Sequence, residues 1–178
     1  MWGGCNLQQI SLINEYFSLF REKKNFIMII SCKDTCQKYF QEFMKNTGYI
    51  LRQPLHRESY ICIISSDNGV IYENSQKNEQ VYQFKYGAFG FSLNSQIREG
   101  KIFIDIPSIS CEKEGLVTSG GYNTKEKISF SEIVINNINY SMNRIGLNFV
   151  VIDTTGNGIV VDTFNINTHS DATLKINR

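Results

Sequence analysis

The chain is short of the residues on which most recognisable chemistry is built. It has only two histidines, His56 and His169, and two prolines among 178 residues. A catalytic triad cannot be assembled from histidines read as loop residues: Ser65 and Ser66 precede a turn, and no G-x-S-x-G elbow surrounds them. Zinc is not expected, for the same scarcity. Cys32-x3-Cys36 has no second Cys/His pair at metal spacing, and Cys5, Cys62 and Cys111 are scattered. No surplus of one charge exists either, with 18 Lys+Arg against 17 Asp+Glu. Nucleic acid is therefore not an expected partner, because phosphate neutralisation needs clustered basic residues. The apolar run Phe26-Ile27-Met28-Ile29-Ile30 is far below the roughly 20 residues of a membrane-spanning helix. Met1-Trp2-Gly3-Gly4-Cys5 has neither the basic start nor the apolar stretch of a secretory signal, so in a secreted protein the signal would be removed or lie outside this chain.

What is present is the composition of a folded domain, 42% hydrophobic and 20% charged. Leu7, Ile10, Ile13, Phe17 and Phe20 recur at helical spacing and predict an amphipathic helix over about 6–23. A continuous apolar strand, 26–31, follows. Asp34 or Ser31 can cap a second helix, over 35–45, whose Cys36, Tyr39, Phe40 and Phe43 face inward, and Tyr60-Ile61-Cys62-Ile63-Ile64 is again continuously apolar. Strand, helix and strand in this order predict a βαβ crossover with parallel, buried strands. Asp67-Asn68-Gly69 reads as a tight turn into a strand at 70–72. From about residue 80 the pattern is short strands at 81–84, 89–93, 101–106, 128–135, 138–142, 147–152 and 159–164, separated by turn residues such as Asn136-Asn137. The predicted class is α+β: antiparallel sheets flanked by helices, with one βαβ unit.

Several residues have both a structural and a functional reading. Gly120-Gly121 lacks the lysine and the strand-to-helix context of a phosphate loop and reads as a turn. Asp153 and Asp162 lie at strand ends beside turns and read as local backbone caps, not paired catalytic carboxylates. Trp2 is either packed on the first helix or a ligand platform. His56 and Arg57 lead into a buried strand, where the Arg57-Glu58 pair is either a solvated edge or a group that hydrogen-bonds a sugar or a partner. Asn139-Tyr140-Ser141 is an N-x-S sequon, meaningful only in a secretory pathway that glycosylates.

Two stretches carry a family resemblance. Val117-Thr118-Ser119-Gly120-Gly121, Ile135-Asn136-Asn137, Arg144-Ile145-Gly146-Leu147-Asn148-Phe149-Val150-Val151-Ile152-Asp153-Thr154-Thr155-Gly156 and Thr163-Phe164-Asn165-Ile166-Asn167-Thr168-His169-Ser170-Asp171 resemble the first half of the interleukin-like EMT inducer/PANDER (GG) domain. Met1-Trp2-Gly3-Gly4, the helix to Phe20, Ile29-Ile30-Ser31-Cys32-Lys33-Asp34 and Arg57-Glu58-Ser59-Tyr60 resemble its second half. The order is reversed along this chain. The sequence departs from the family pattern at Ile145, which separates Arg144 from Gly146, at Lys33 in place of an acid, and at Asn165 and Asn167, where an Asp is expected.

The resemblance implies three segments: 1–85 as the second half of a PANDER-like domain, 86–114 as a strand-rich linker, and 115–178 as the first half. It also implies a secreted or cell-surface, non-enzymatic protein without a cofactor. Outside the cell, at least one disulfide is expected, with Cys32, Cys36 and Cys62 as the pool. Since neither half can bury its apolar face alone, the leading expectation is a subunit or tandem repeat of a fibrous assembly, each half completed by a neighbouring copy. The alternative is a secreted carbohydrate- or receptor-binding domain acting as a monomer, with glycan as partner.

Overall fold

The computed structural model describes residues 11, 14–15, 18, 20–34, 45, 48–49, 51–55, 57–77, 79–82, 84–87, 90–92, 103–108, 111–121, 129–135, 138–155, 159–167 and 173–177. Among them lie the strands β1 (Phe26–Lys33), β2 (Ser59–Ser65), β3 (Gly69–Gln76), β4 (Glu79–Tyr82), β5 (Phe84–Gly87), β6 (Gly90–Ser92), β7 (Phe103–Ser108), β8 (Cys111–Gly120), β9 (Phe130–Ile135), β10 (Ile138–Asn139), β11 (Gly146–Asp153), β12 (Ile159–Asn167) and β13 (Thr173–Asn177). A six-stranded sheet has the order β13-β12-β11-β1-β2-β3, and a second sheet the order β10-β9-β8-β7-β5-β6, with β4 also paired to β8.

This is an all-β fold, and it overturns the α+β expectation. β1 and β2 are antiparallel, in register from Ile27↔Ser65 to Ser31↔Ile61, so they do not form the expected βαβ unit. The inference failed because a continuous apolar run reports burial on both faces and says nothing about strand direction. Both strands are buried along nearly their whole length because their sheet is covered on each side. Residues 11, 14–15, 18 and 20–22 are helical, inside the span expected for the first helix. The expected second helix, including Cys36, Tyr39, Phe40 and Phe43, lies outside the described residues except at Lys45. Parallel pairing does occur, between β5 and β7 at Phe84↔Ile104.

The six-stranded sheet has a core on each face. Toward the second sheet, Ile27, Ile29, Ile61, Ile63, Val150 and Ile152 meet Tyr82, Val117, Ile133 and Ile135. On the other face, Met28, Ile30, Tyr60, Cys62, Phe149, Val151 and Phe164 pack under Phe20 and Leu51. The Phe149 and Phe164 rings stack at 4.4 Å, and Phe20 stacks on Phe164 at 6.1 Å and meets Phe26 edge-on at 5.8 Å. Side chains of β9 alternate, with Ser131, Ile133 and Ile135 inward, as the two-residue period of a half-covered strand requires.

An early and a late segment of the chain pair with one another. All eight residues of β1 pair with β11, from Phe26↔Asp153 to Lys33↔Gly146. Among the described residues, the apolar faces of β1, β2 and β11 are covered within the chain. Residues 86–114 contribute β6, β7 and the start of β8 to the second sheet.

Polar side chains knit the interior at one end. Asn148 accepts the Arg144 N–H through Oδ1 at 3.0 Å and donates through Nδ2 to the Arg144 carbonyl at 2.8 Å. Asn165 Nδ2 donates to the Leu147 carbonyl at 2.9 Å and lies 3.3 Å from both Asn148 Oδ1 and the Ile145 carbonyl. Every one of these Asn165 partners is an acceptor. A carboxylate has no hydrogen to offer them, so an Asp at position 165 would leave these buried acceptors without their donor.

Phe149→Ala should lower the free energy of unfolding by about 3–5 kcal/mol, the cost of deleting a buried aromatic and leaving its cavity. Urea denaturation measures it, and a loss below about 1 kcal/mol would contradict the stacked core.

Candidate functional site

Two of the segments singled out from sequence, around Arg57 and around Gly120-Gly121, meet at one corner, where the turn before β2 reaches the end of β8. Pro54 and Glu58 are buried, whereas Leu55 and Arg57 are exposed, Leu55 to 61%. Glu58 anchors the turn. Its Oε2 accepts the Leu55 N–H at 2.9 Å and a short hydrogen bond from the Ser75 hydroxyl on β3. The Glu58 N–H returns to the Leu55 carbonyl at 3.3 Å. Arg57 has φ of 60°, a left-handed conformation that is uncommon for a residue with a Cβ and is held here by the surrounding bonds.

Gly120-Gly121 is not the turn expected from sequence. Gly120 ends β8, and Gly121 forms a parallel bridge with Asp34. Neither glycine is needed for a positive φ; both are needed for space. A Cβ on Gly121 would lie 2.8 Å from the Arg57 carbonyl oxygen and 3.0 Å from the Ser59 nitrogen, and one on Gly120 would enter the Phe130 ring at 2.6 Å. Around this contact, buried hydroxyls join the sheets. Ser119 Oγ accepts the Tyr60 N–H at 3.1 Å and donates to the Cys32 carbonyl. Ser31 Oγ donates to the Thr118 carbonyl, and Ser131 Oγ lies 2.8 Å from Ser141 Oγ.

Of the candidate ligand-binding residues, Arg57 therefore sits on an anchored, exposed turn, while Trp2 and His56 lie outside the described residues. Glu58, Ser75 and Gly121 were not foreseen as a group. Their only signal was that Arg57-Glu58-Ser59-Tyr60 and Val117-Thr118-Ser119-Gly120-Gly121 each stood out separately.

Cys32 and Cys62 are buried free thiols, so the expected disulfide does not join them. Cys62 stands opposite Ile30, which makes Cys32 its diagonal neighbour across β1 and β2. Diagonal Cβ atoms lie about 7 Å apart, against about 3.5–4.5 Å in a disulfide. Cys36 lies outside the described residues. Burial pushes the Cys62 thiol well up, which leaves it an inert core group. Burial also raises Tyr60, whose hydroxyl donates to Glu73 Oε1 at 2.8 Å. Asn139 is exposed on β10, its Oδ1 accepting the Ser141 N–H at 3.0 Å and the Ile133 N–H at 3.2 Å; a glycan would attach at Nδ2. Asp153 caps locally, taking the Thr155 N–H at 2.7 Å. Among the described residues, no group of three or more His, Cys, Asp or Glu is placed to hold a metal ion, and no helix is long and apolar enough to cross a membrane.

Gly121→Ala should destabilise the fold by about 1–3 kcal/mol, the usual cost of overpacking, because its neighbours are backbone atoms that cannot rotate away. Thermal unfolding of the variant reads this, and an unchanged midpoint would refute the close approach.

The Ser75 hydrogen bond, with the Leu55 N–H and nearby Arg52 and Lys77, holds the Glu58 carboxyl below its ordinary value of 4.5. A carboxyl depressed on folding stabilises the native state above its unfolded pKa and loses that contribution as pH falls through the folded pKa. The urea midpoint should therefore drop as pH falls below about 4.5, and Glu58→Gln should flatten that drop while lowering the midpoint at neutral pH. Equal acid slopes in both proteins would remove Glu58 as its source.

Comparison of the chain with protein-family models, curated proteins and solved structures gives no match.

Proposed function

We propose that the chain is a self-contained, non-enzymatic extracellular module that binds a glycan or a receptor protein through the turn at 54–58. The observation that carries this reading is the construction of that turn. A buried carboxylate, a hydroxyl on β3 and the close approach of Gly121 fix a segment whose outward residues, Leu55 and Arg57, have no part in the core. Fixing a loop before binding reduces the entropy lost on association, a common property of recognition sites.

Kinship with the interleukin-like EMT inducer/PANDER domain belongs to the same proposal, as a circularly permuted form. It is supported by the meeting of two segments that resemble opposite halves of the family domain: the Tyr60 N–H bonds Ser119, and the Arg57 carbonyl packs on Gly121. The extracellular assignment rests on that kinship alone, since buried thiols such as Cys32 and Cys62 persist in either redox compartment. A second reading, a subunit of a surface fibre, draws on the open six-stranded sheet with β3 and β13 outermost, because edge strands can pair with another chain.

Sedimentation velocity combined with a glycan array and a receptor-ectodomain screen tests both readings. The expected outcome is a monomer at all concentrations that captures one class of ligand, with Leu55→Ser/Arg57→Ser losing about tenfold or more in affinity, about 1.4 kcal/mol, while the variant still unfolds cooperatively. Concentration-dependent fibres would favour the second reading. Ligand capture indifferent to the double substitution would move the site away from this turn.

A further inference from the structure

We infer that Asn68 is a site of spontaneous deamidation, a modification built into the β2–β3 hairpin. The chain contains two Asn-Gly pairs, Asn68-Gly69 and Asn157-Gly158, of which the first lies among the described residues. Residues 66–68 form the turn of the hairpin, and Asn68 is exposed. Gly69 has φ of 71° and meets only one ring carbon of Tyr49, at 3.8 Å, on its Cβ side. With no Cβ on the following residue, the approach of its nitrogen to the Asn68 side chain is sterically open.

Its side chain also differs from those of Asn139, Asn143, Asn148 and Asn165. Asn139 and Asn143 accept backbone N–H groups, and Asn148 and Asn165 are locked in the buried polar network. Among the described residues the Asn68 amide makes no hydrogen bond, so it can turn toward the next peptide nitrogen without breaking one. Asn139 and Asn143 are followed by Tyr140 and Arg144, whose side chains crowd that approach.

The reaction needs only water. The Gly69 nitrogen forms a bond to Asn68 Cγ, the Cγ–Nδ2 bond breaks, and Nδ2 leaves as ammonia with the proton lost by the Gly69 nitrogen. Water then opens the five-membered imide. Breaking the new bond from Gly69 nitrogen to Cγ leaves an ordinary aspartyl residue where Asn68 stood, whereas breaking the original peptide bond gives the isoaspartyl linkage, with one extra main-chain carbon. That carbon falls beside the contacts fastening the hairpin to the start of β1, Ser66 N–H to the Phe26 carbonyl at 2.9 Å and Phe26 N–H to Ser66 Oγ at 3.1 Å. The new carboxylate stands next to Asp67.

The test is to incubate the intact chain, produced in bacteria so that Asn139 is unglycosylated, in mildly alkaline buffer made with heavy-oxygen water, and to map its peptides by mass spectrometry. The peptide holding Asn68 should take up heavy oxygen about tenfold or more faster than those holding Asn139 and Asn143, a difference of about 1.4 kcal/mol in activation free energy. Both aspartyl and isoaspartyl products should appear, and Asn68→Gln should abolish uptake there while keeping the native urea midpoint. Uptake at Asn68 no faster than at Asn139, or conversion only after the chain is denatured, would overturn the inference by showing that the folded turn protects the amide.

Discussion

The structure depends on one strand that has no free side. β1 pairs with β11 along one edge and β2 along the other, and its side chains enter separate cores above and below the sheet. Phe26, Met28, Ile30 and Cys32 face the aromatic core; Ile27 and Ile29 face the second sheet. A strand placed this way must be apolar at successive positions and cannot tolerate a slip in register, because a one-residue shift would exchange the contents of two cores that differ in shape. It also joins the two ends of the sequence, since its neighbours come from residues 59–65 and 146–153.

Where β1 ends, the packing changes from apolar to polar. Ser31 hydrogen-bonds the Thr118 carbonyl, and Ser119 hydrogen-bonds that of Cys32, so the two sheets approach through hydroxyls and main chain instead of through bulky side chains. Small residues are required here: Gly121 leaves room for the main chain of the 57–59 turn, and the serines satisfy backbone groups that would otherwise be buried without partners. The exposed turn therefore depends on residues remote in sequence. Its anchor, Glu58, reaches Ser75 on a different strand, and the Arg57 backbone rests on the end of β8.

Much of the strand content was legible in the sequence. The apolar runs at 26–31 and 60–64 and the segments at 147–152 and 159–164 fall within β1, β2, β11 and β12, because β-branched and aromatic runs bounded by turn residues suit few other structures. β8 was missed, since Cys111-Glu112-Lys113-Glu114-Gly115 has no apolar alternation and its central position in the sheet comes from pairing, not composition. The candidate site was half legible: Arg57 could be suspected from its charge beside a buried strand, whereas Glu58 and Gly121 gain their roles only from contacts across the fold.

By itself, the sequence determined which of its longest apolar runs become buried strands, and it carries balanced charge and only two histidines. These are local properties, read from side-chain type and period. Tertiary structure alone decided that β1 and β2 run antiparallel, that β1 pairs with the distant β11, that Cys32 and Cys62 stand diagonal and unbonded, and that Gly120-Gly121 serves a close approach and not a turn. The physical reason is common to all four. Each depends on which segment lies beside which, a choice made by the packing of whole faces, and a continuous apolar run is equally satisfied by a parallel or an antiparallel neighbour.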